Sequence, residues 1–377
     1  MTMTEQELRE LEGQQAGEDV HNTPPPGTPS AQSAPAPESN EAHAIGTSSN
    51  PAPAAGGQSE SVHVTKTFAT GVAIDLGFFG QKPSFTPEIE RTAQQLAYWQ
   101  TLDRPGAMVD GLNRVGKTFA CRYLASSIKS ILGGSTIAFL WPLKKTDKNE
   151  VAFLQRRIQD IGGRDYNHSK PGELSKRLVS HLLGRAEAEN CARILLILDE
   201  AQAITESQFS IICDIQETLA VRHTVFTSLF GQPELRTLAE NFKQRDVKNL
   251  VSRYMKLSHQ MRGIAASDFA KVLEHLDMTT GTSVVERHFP HLYAQGWRLE
   301  QIAPALKSAL EQLRTAHRIE KPVRLPMEDL RGAVNALLYL MTRTVDKDPR
   351  RLVKKSVLLA CLKQVKFDEY IHIYVED

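Results

Sequence analysis

Cysteine is scarce: four residues, Cys121, Cys191, Cys213 and Cys361, are spread through 377 positions without a C-x-x-C pair. That scatter argues against a disulfide framework or a thiolate metal site and predicts buried thiols in a reducing compartment. Excess charge of one sign is missing too, because 45 Lys and Arg face 44 Asp and Glu and leave a formal net charge of +1. A wholly basic nucleic-acid binder is therefore not expected, although local patches remain open. No apolar run approaches the length of a membrane span, and the opening Met1-Thr2-Met3-Thr4-Glu5-Gln6-Glu7-Leu8 carries no charged-then-apolar leader. A cytoplasmic protein with no membrane partner is expected. Residues 1–62 carry few large apolar side chains and are rich in Pro, Ala, Ser, Gly, Glu and Gln. Such a stretch cannot offset its ordering entropy and reads as a disordered tail, a tether or a partner-binding arm, with a short helix near Glu5 to Leu11.

Against these absences stands Gly111-Leu112-Asn113-Arg114-Val115-Gly116-Lys117-Thr118, which fits the phosphate-cradling pattern G-x-x-x-x-G-K-[ST]. Glycines let the backbone turn its amides inward, Lys117 brings a positive charge to β- and γ-phosphates, and the Thr118 hydroxyl can ligate Mg²⁺. The apolar run Ala107-Met108-Val109 precedes the loop as a strand would. Phe119 opens a helical pattern that Leu124, Ile128, Ile131 and Leu132 continue as far as Gly133-Gly134. ATP with Mg²⁺ is the expected ligand, touched by Gly111, Asn113, Arg114, Val115, Gly116, Lys117, Thr118 and Phe119. Upstream, Thr86 is placed to cap a helix that starts at Pro87 and could wall the base.

Downstream, residues 135–141 read as a buried strand stopped by Pro142, followed by a loop carrying Lys144, Lys145 and Lys148. These lysines are candidates for DNA phosphates, with a solvated surface as the alternative. The run from Arg193 to Leu198 is a strand, apolar after its first residue, ending in Asp199-Glu200. Beside a phosphate loop, Asp199 can hold Mg²⁺ and Glu200 can polarise the attacking water. His223 to Phe230 reads as a further strand, with Ser228 and Thr227 as phosphate sensors and Gln232 behind them. Arg253 precedes a short strand, Met255 to Leu257, and could reach a neighbouring subunit's nucleotide. Beyond Ala265 the pattern is helical, and Tyr370 to Val375 alternates like a short strand or docking tail. Residues 343–366 carry many cations, facing either DNA or solvent.

This order of elements resembles the AAA+ ATPases. Gly116-Lys117-Thr118, Asp199-Glu200-Ala201-Gln202 and Gly231-Gln232-Pro233-Glu234-Leu235 resemble, more narrowly, the TnsC/TniB transposition regulators, with ExeA-type and IstB-type ATPases as related alternatives. The likeness covers residues 85–262. It implies an α/β fold with a parallel sheet flanked by helices, divided into a disordered tail (1–62), a nucleotide-binding domain with an N-terminal extension (63–262) and a helical lid and C-terminal region (263–377). It implies rings or helical filaments of the chain on double-stranded DNA, in a bacterial nucleoid, and contact with a transposase and a target-selection protein. Lys117, Thr118, Asp199, Glu200 and Arg253 would take the family's catalytic and Mg²⁺ roles, and Arg331, in a helix-opening turn, would touch the γ-phosphate. A nucleotide-gated signalling or scaffold ATPase that ignores DNA is the rival expectation. A motor acting on proteins would need an aromatic-Gly loop after the second strand, and none is seen.

Overall fold

Four strands of one sheet alternate their side chains between two apolar cores, and this alternation organises the chain. The computed structural model describes residues 66–67, 73–74, 78–79, 85–102, 104–147, 149–164, 170–245, 247–278, 281–344 and 348–376. The tail expected over 1–62, its short helix and Lys148 lie outside them. The central sheet consists of β1 (Gly106–Asp110), β2 (Thr136–Pro142), β3 (Arg193–Asp199), β4 (Thr224–Gly231) and β5 (Ser258–Gln260). All neighbours pair in parallel, in the order β2-β3-β4-β1-β5. On β3, Leu195 and Ile197 enter one core while Ile194, Leu196 and Leu198 enter the other. On β4, Phe226 and Phe230 part from Val225 and Leu229 in the same way. A period of two on a strand covered on both faces gives this division and demands an unbroken apolar run.

The first core is covered by α1 (Pro87–Thr101) and α2 (Lys117–Leu132), through Ile89, Leu96, Trp99, Leu124 and Ile128. Thr86 caps α1 by accepting the Ile89 N–H at 3.2 Å, as its sequence position predicts. The second core is covered by α3 (Glu150–Asp160), α4 (Pro171–Ala188), α5 (Glu206–Ala220), α6 (Glu234–Lys243) and α7 (Lys248–Tyr254). The first core continues into α8 (Phe269–Asp277), α9 (Val284–His288), α10 (Pro290–Ala294), α11 (Ala303–Ala316), α12 (Met327–Thr342) and α13 (Lys355–Gln364). This continuity brings α12 onto the loop that joins β1 to α2.

Two local expectations fail. The strand expected at Met255 to Leu257 begins three residues later, because α7 runs to Tyr254 and the chain uses 255–257 to return to the sheet edge. There, among the described residues, β5 pairs only with β1. The alternation over Tyr370 to Val375 also misleads. Phe367, Ile371 and Tyr374 are the buried residues, spaced as on a helix, and they form α14 (Phe367–Tyr370) and a 3₁₀ turn, Ile371–Tyr374. Only Val375 bridges like a strand, to Val323.

Candidate active site

The phosphate loop leaves the carboxyl end of β1 and is shaped by close neighbours. A Cβ at Gly111 would stand 2.4 Å from the Met261 carbonyl oxygen, and Gly116 has φ +107°, so both ends of the loop require glycine. Lys117 opens α2, and its buried ammonium donates to the carbonyls of Gly111 and Leu112 at 2.9 and 2.7 Å. Burial lowers its pKa, against the opposing pull of Glu200 and Asp199.

Asp199 ends β3 and is buried beside this loop. Burial raises its pKa, and a hydrogen bond with Thr118 opposes the rise. A carboxylate and a hydroxyl side by side offer oxygen donors of the kind Mg²⁺ accepts. Among the described residues no group of three or more His, Cys, Asp or Glu could hold a metal without help. A site completed by phosphate oxygens needs no such group.

Glu200 has φ +59°, a left-handed conformation that turns its carboxylate away from the strand direction. Its Oε2 accepts from Gln202 Nε2 at 2.6 Å and lies 3.5 Å from Gln232 Nε2. Gln202 Oε1 in turn accepts the Gln232 backbone N–H at 3.1 Å. The Asp-Glu-Ala-Gln and Gly-Gln-Pro-Glu-Leu stretches, thirty residues apart in sequence, therefore meet in one hydrogen-bond network around one carboxylate. Gln202 received no role from the sequence, although its place in the first motif was visible.

Helix α12 closes the other side. A cavity of about 450 Å³ is lined by Asn113, Arg114, Gly116, Lys117, Thr118, Phe119, Glu200, Met327, Glu328, Arg331, Gly332 and Asn335. Arg331 thus faces the loop, its guanidinium 5.1 Å from the Phe119 ring centre and 5.8 Å from that of Phe79. Burial lowers its pKa. Arg114, with φ +66°, pairs with the buried Asp329 at 3.3 Å and stands over the Tyr370 ring. Tyr374 donates its hydroxyl to the Asn113 carbonyl at 3.0 Å. Thr86, Ile89, Val115, Phe119 and Met327 line a small adjoining void, so the start of α1 does border the loop.

The remaining expected residues lie elsewhere. Ser228 is fully buried within β4 and does not line the cleft, and Thr227 bonds to Gln216, whereas Gln232, just past the strand end, lies 3.5 Å from Glu200. Side chains within a strand buried on both faces cannot reach its exposed end. Arg253 is exposed, 2.6 Å from Glu217, and lines a separate cavity of about 740 Å³ with Arg104, Pro105, Thr224 and Lys256, at the amino ends of β1 and β4. Lys144 and Lys145 are exposed in the turn after β2 and form no ion pair among the described residues. That turn is anchored by Leu143 N–H donating to the Asp199 carbonyl at 2.8 Å, and by Asp147, which pairs with the buried Arg157 at 3.5 Å.

Residues 103–239 match the AAA domain family. No curated protein matches the chain. Solved structures with a similar chain path include the Aeropyrum pernix ORC1 protein in complex with DNA, at 14% identity over 78% of this chain and 87% of that one, TM-score 0.38. Domain III of the Thermotoga maritima replication initiation protein DnaA is similar at 12% identity over 77% and 97%, TM-score 0.41. A Walker-type ATPase of Pyrococcus abyssi is similar at 14% over 77% and 94%, TM-score 0.38. These likenesses are distant and assign no ligand or partner to this chain. No helix among the described residues is long and apolar enough to cross a membrane. With its phosphate loop, its Asp-Glu strand end and the matched segment joining them, the chain carries an AAA+ P-loop ATPase domain.

Proposed function

We infer that the protein is an ATP-dependent regulator that assembles in several copies on duplex DNA, of the kind that links a target site to a transposase. The observation that carries the DNA part is the anchoring of the Lys144-Lys145 turn to the Asp199 backbone, the residue whose side chain faces Thr118. A change at the nucleotide has a short path to a pair of exposed cations that form no ion pair among the described residues, and clustered lysines bind phosphates by counterion release. The transposition part rests on the Gly231-Gln232-Pro233-Glu234-Leu235 and Asp199-Glu200-Ala201-Gln202 stretches.

Within the site, Lys117 and the loop amides hold the β- and γ-phosphates, and Arg331 approaches the phosphates from α12. Thr118 and Asp199 would hold Mg²⁺, which when bound supplies positive charge to the phosphate oxygens. Glu200, fixed by Gln202 and Gln232, orients and deprotonates the attacking water. Arg253, at the opposite end of the sheet from its own chain's loop, serves the nucleotide of a neighbouring copy. Such a head-to-tail contact generates rings or filaments.

The test is duplex DNA binding across a salt series for the wild type and for the double variant Lys144→Glu, Lys145→Glu, with electron microscopy of the ATP-analogue complexes. The expected result is a steep salt slope for the wild type, loss of DNA association in the variant, and nucleotide-dependent rings or filaments on DNA. A wild type that assembles with ATP and ignores DNA would instead establish the scaffold reading.

A further inference from the structure

Helix α12 presents more to the cleft than Arg331. Met327, Arg331 and Asn335 follow one another at intervals of four and so share a face, and all three line the cavity that holds Lys117 and Thr118. Asn335 lies one turn beyond Arg331, about 6 Å along the axis. Its Oδ1 is buried and has no hydrogen-bond partner among the described residues. Buried polar atoms in native proteins are nearly always paired, and the exceptions gather where a ligand completes them.

We propose that Asn335 is a specificity-determining residue that accepts a hydrogen bond from the nucleoside half of the bound nucleotide. This rests on the nucleotide site described above. The chemistry selects which part of the ligand Asn335 meets. At neutral pH the triphosphate oxygens are ionised acceptors and cannot satisfy a carbonyl oxygen. Donors on ATP are confined to the sugar hydroxyls and the exocyclic amino group of the base. Arg331 and Asn335 therefore divide the ligand along one helix face, the cation addressing phosphate and the amide addressing nucleoside. An exchanged assignment of the amide oxygen and nitrogen would offer a donor, which suits phosphate rather than nucleoside, and the two probes below separate these cases.

Titration calorimetry of wild type and Asn335→Leu with two probes, ATP and inorganic tripolyphosphate, tests the assignment. The expected result is an ATP affinity about tenfold weaker in the variant, or about 1.4 kcal/mol, with tripolyphosphate affinity unchanged. Retained tripolyphosphate binding also shows that the loop is still folded, and Asn335→Ala repeats the measurement without added bulk. Purine riboside triphosphate, which lacks the amino group, and 2′- and 3′-deoxy ATP then identify the donor: the analogue missing it binds wild type and variant alike. Unchanged ATP affinity overturns the proposal, and so does an equal loss on both probes. A wild type that binds neither probe would overturn the nucleotide site itself and this assignment with it.

Discussion

Replacing Gly231 by Ala would test how Glu200 is held. A Cβ at this position would stand 2.7 Å from Gln202 Oε1 and 3.0 Å from Leu235 Cδ2. Ordinary van der Waals separation is about 3.5 Å, so something must move. The movable partner is the Gln202 amide, the free end of a flexible side chain, whereas Leu235 is fully buried. Displacing Gln202 removes its 2.6 Å bond to Glu200 and its 3.1 Å bond from the Gln232 N–H. A hydrogen bond to a charged group contributes about 1.5–3 kcal/mol. If that support acts by aiming the carboxylate at the attacking water, its loss slows kcat about 10- to 150-fold. ATP affinity should stay at the wild-type level, because Lys117 and the loop amides are untouched. Single-turnover phosphate release and binding of a fluorescent ATP analogue separate the two quantities. Wild-type kcat in both Gly231→Ala and Gln202→Ala would refute the reasoning, as would a loss confined to binding.

Glu200→Gln should keep ATP binding and slow hydrolysis by about 10²- to 10⁴-fold in a steady-state phosphate assay, and unchanged turnover would remove Glu200 from its role. Arg253→Ala should depress hydrolysis in assembled protein while leaving ATP affinity intact; full activity at concentrations that give assemblies would count against a contribution across subunits. Asp199→Asn carries a pH signature. Burial raises the Asp199 pKa in the folded state, so its contribution to stability is complete below the unfolded value and is lost as pH rises through the folded one. The variant should therefore melt above the wild type near neutral pH without nucleotide, with the advantage shrinking on acidification. A gain that grows toward low pH would contradict this sign. Tyr374→Phe removes the hydroxyl bond to Asn113, worth about 1 kcal/mol, and should weaken ATP binding modestly in the same titration. No change there would make the contact incidental.

The sequence exposed those parts whose physics is local. Glycines at 111 and 116, an apolar strand before them and an amphipathic helix after them describe one strand-loop-helix unit, and Asp199-Glu200 at the end of an apolar run announces its own exposure. The meeting of Gln202 with Gln232 was hidden, because it depends on β3 and β4 being neighbours in register, a property of the sheet rather than of either segment. Ser228 was a natural choice among polar residues on a strand, yet only the strand's exposed end can reach a ligand, and β4 ends at Gly231. Tyr370 to Val375 shows a different limit: short apolar stretches fit either period until tertiary packing selects the buried set, here Phe367, Ile371 and Tyr374.

The contacts that join residues 370–376 to the loop bear on how the protein can be controlled. Tyr374 bonds to Asn113, Arg114 stands over Tyr370, and Glu376 pairs with Arg324 just ahead of α12. Because binding free energies are linked, any macromolecule that grips this segment and changes ATP affinity by some factor must have its own grip changed by the same factor when ATP binds. Nucleotide would then decide how long such a visitor stays, with no contact between the two.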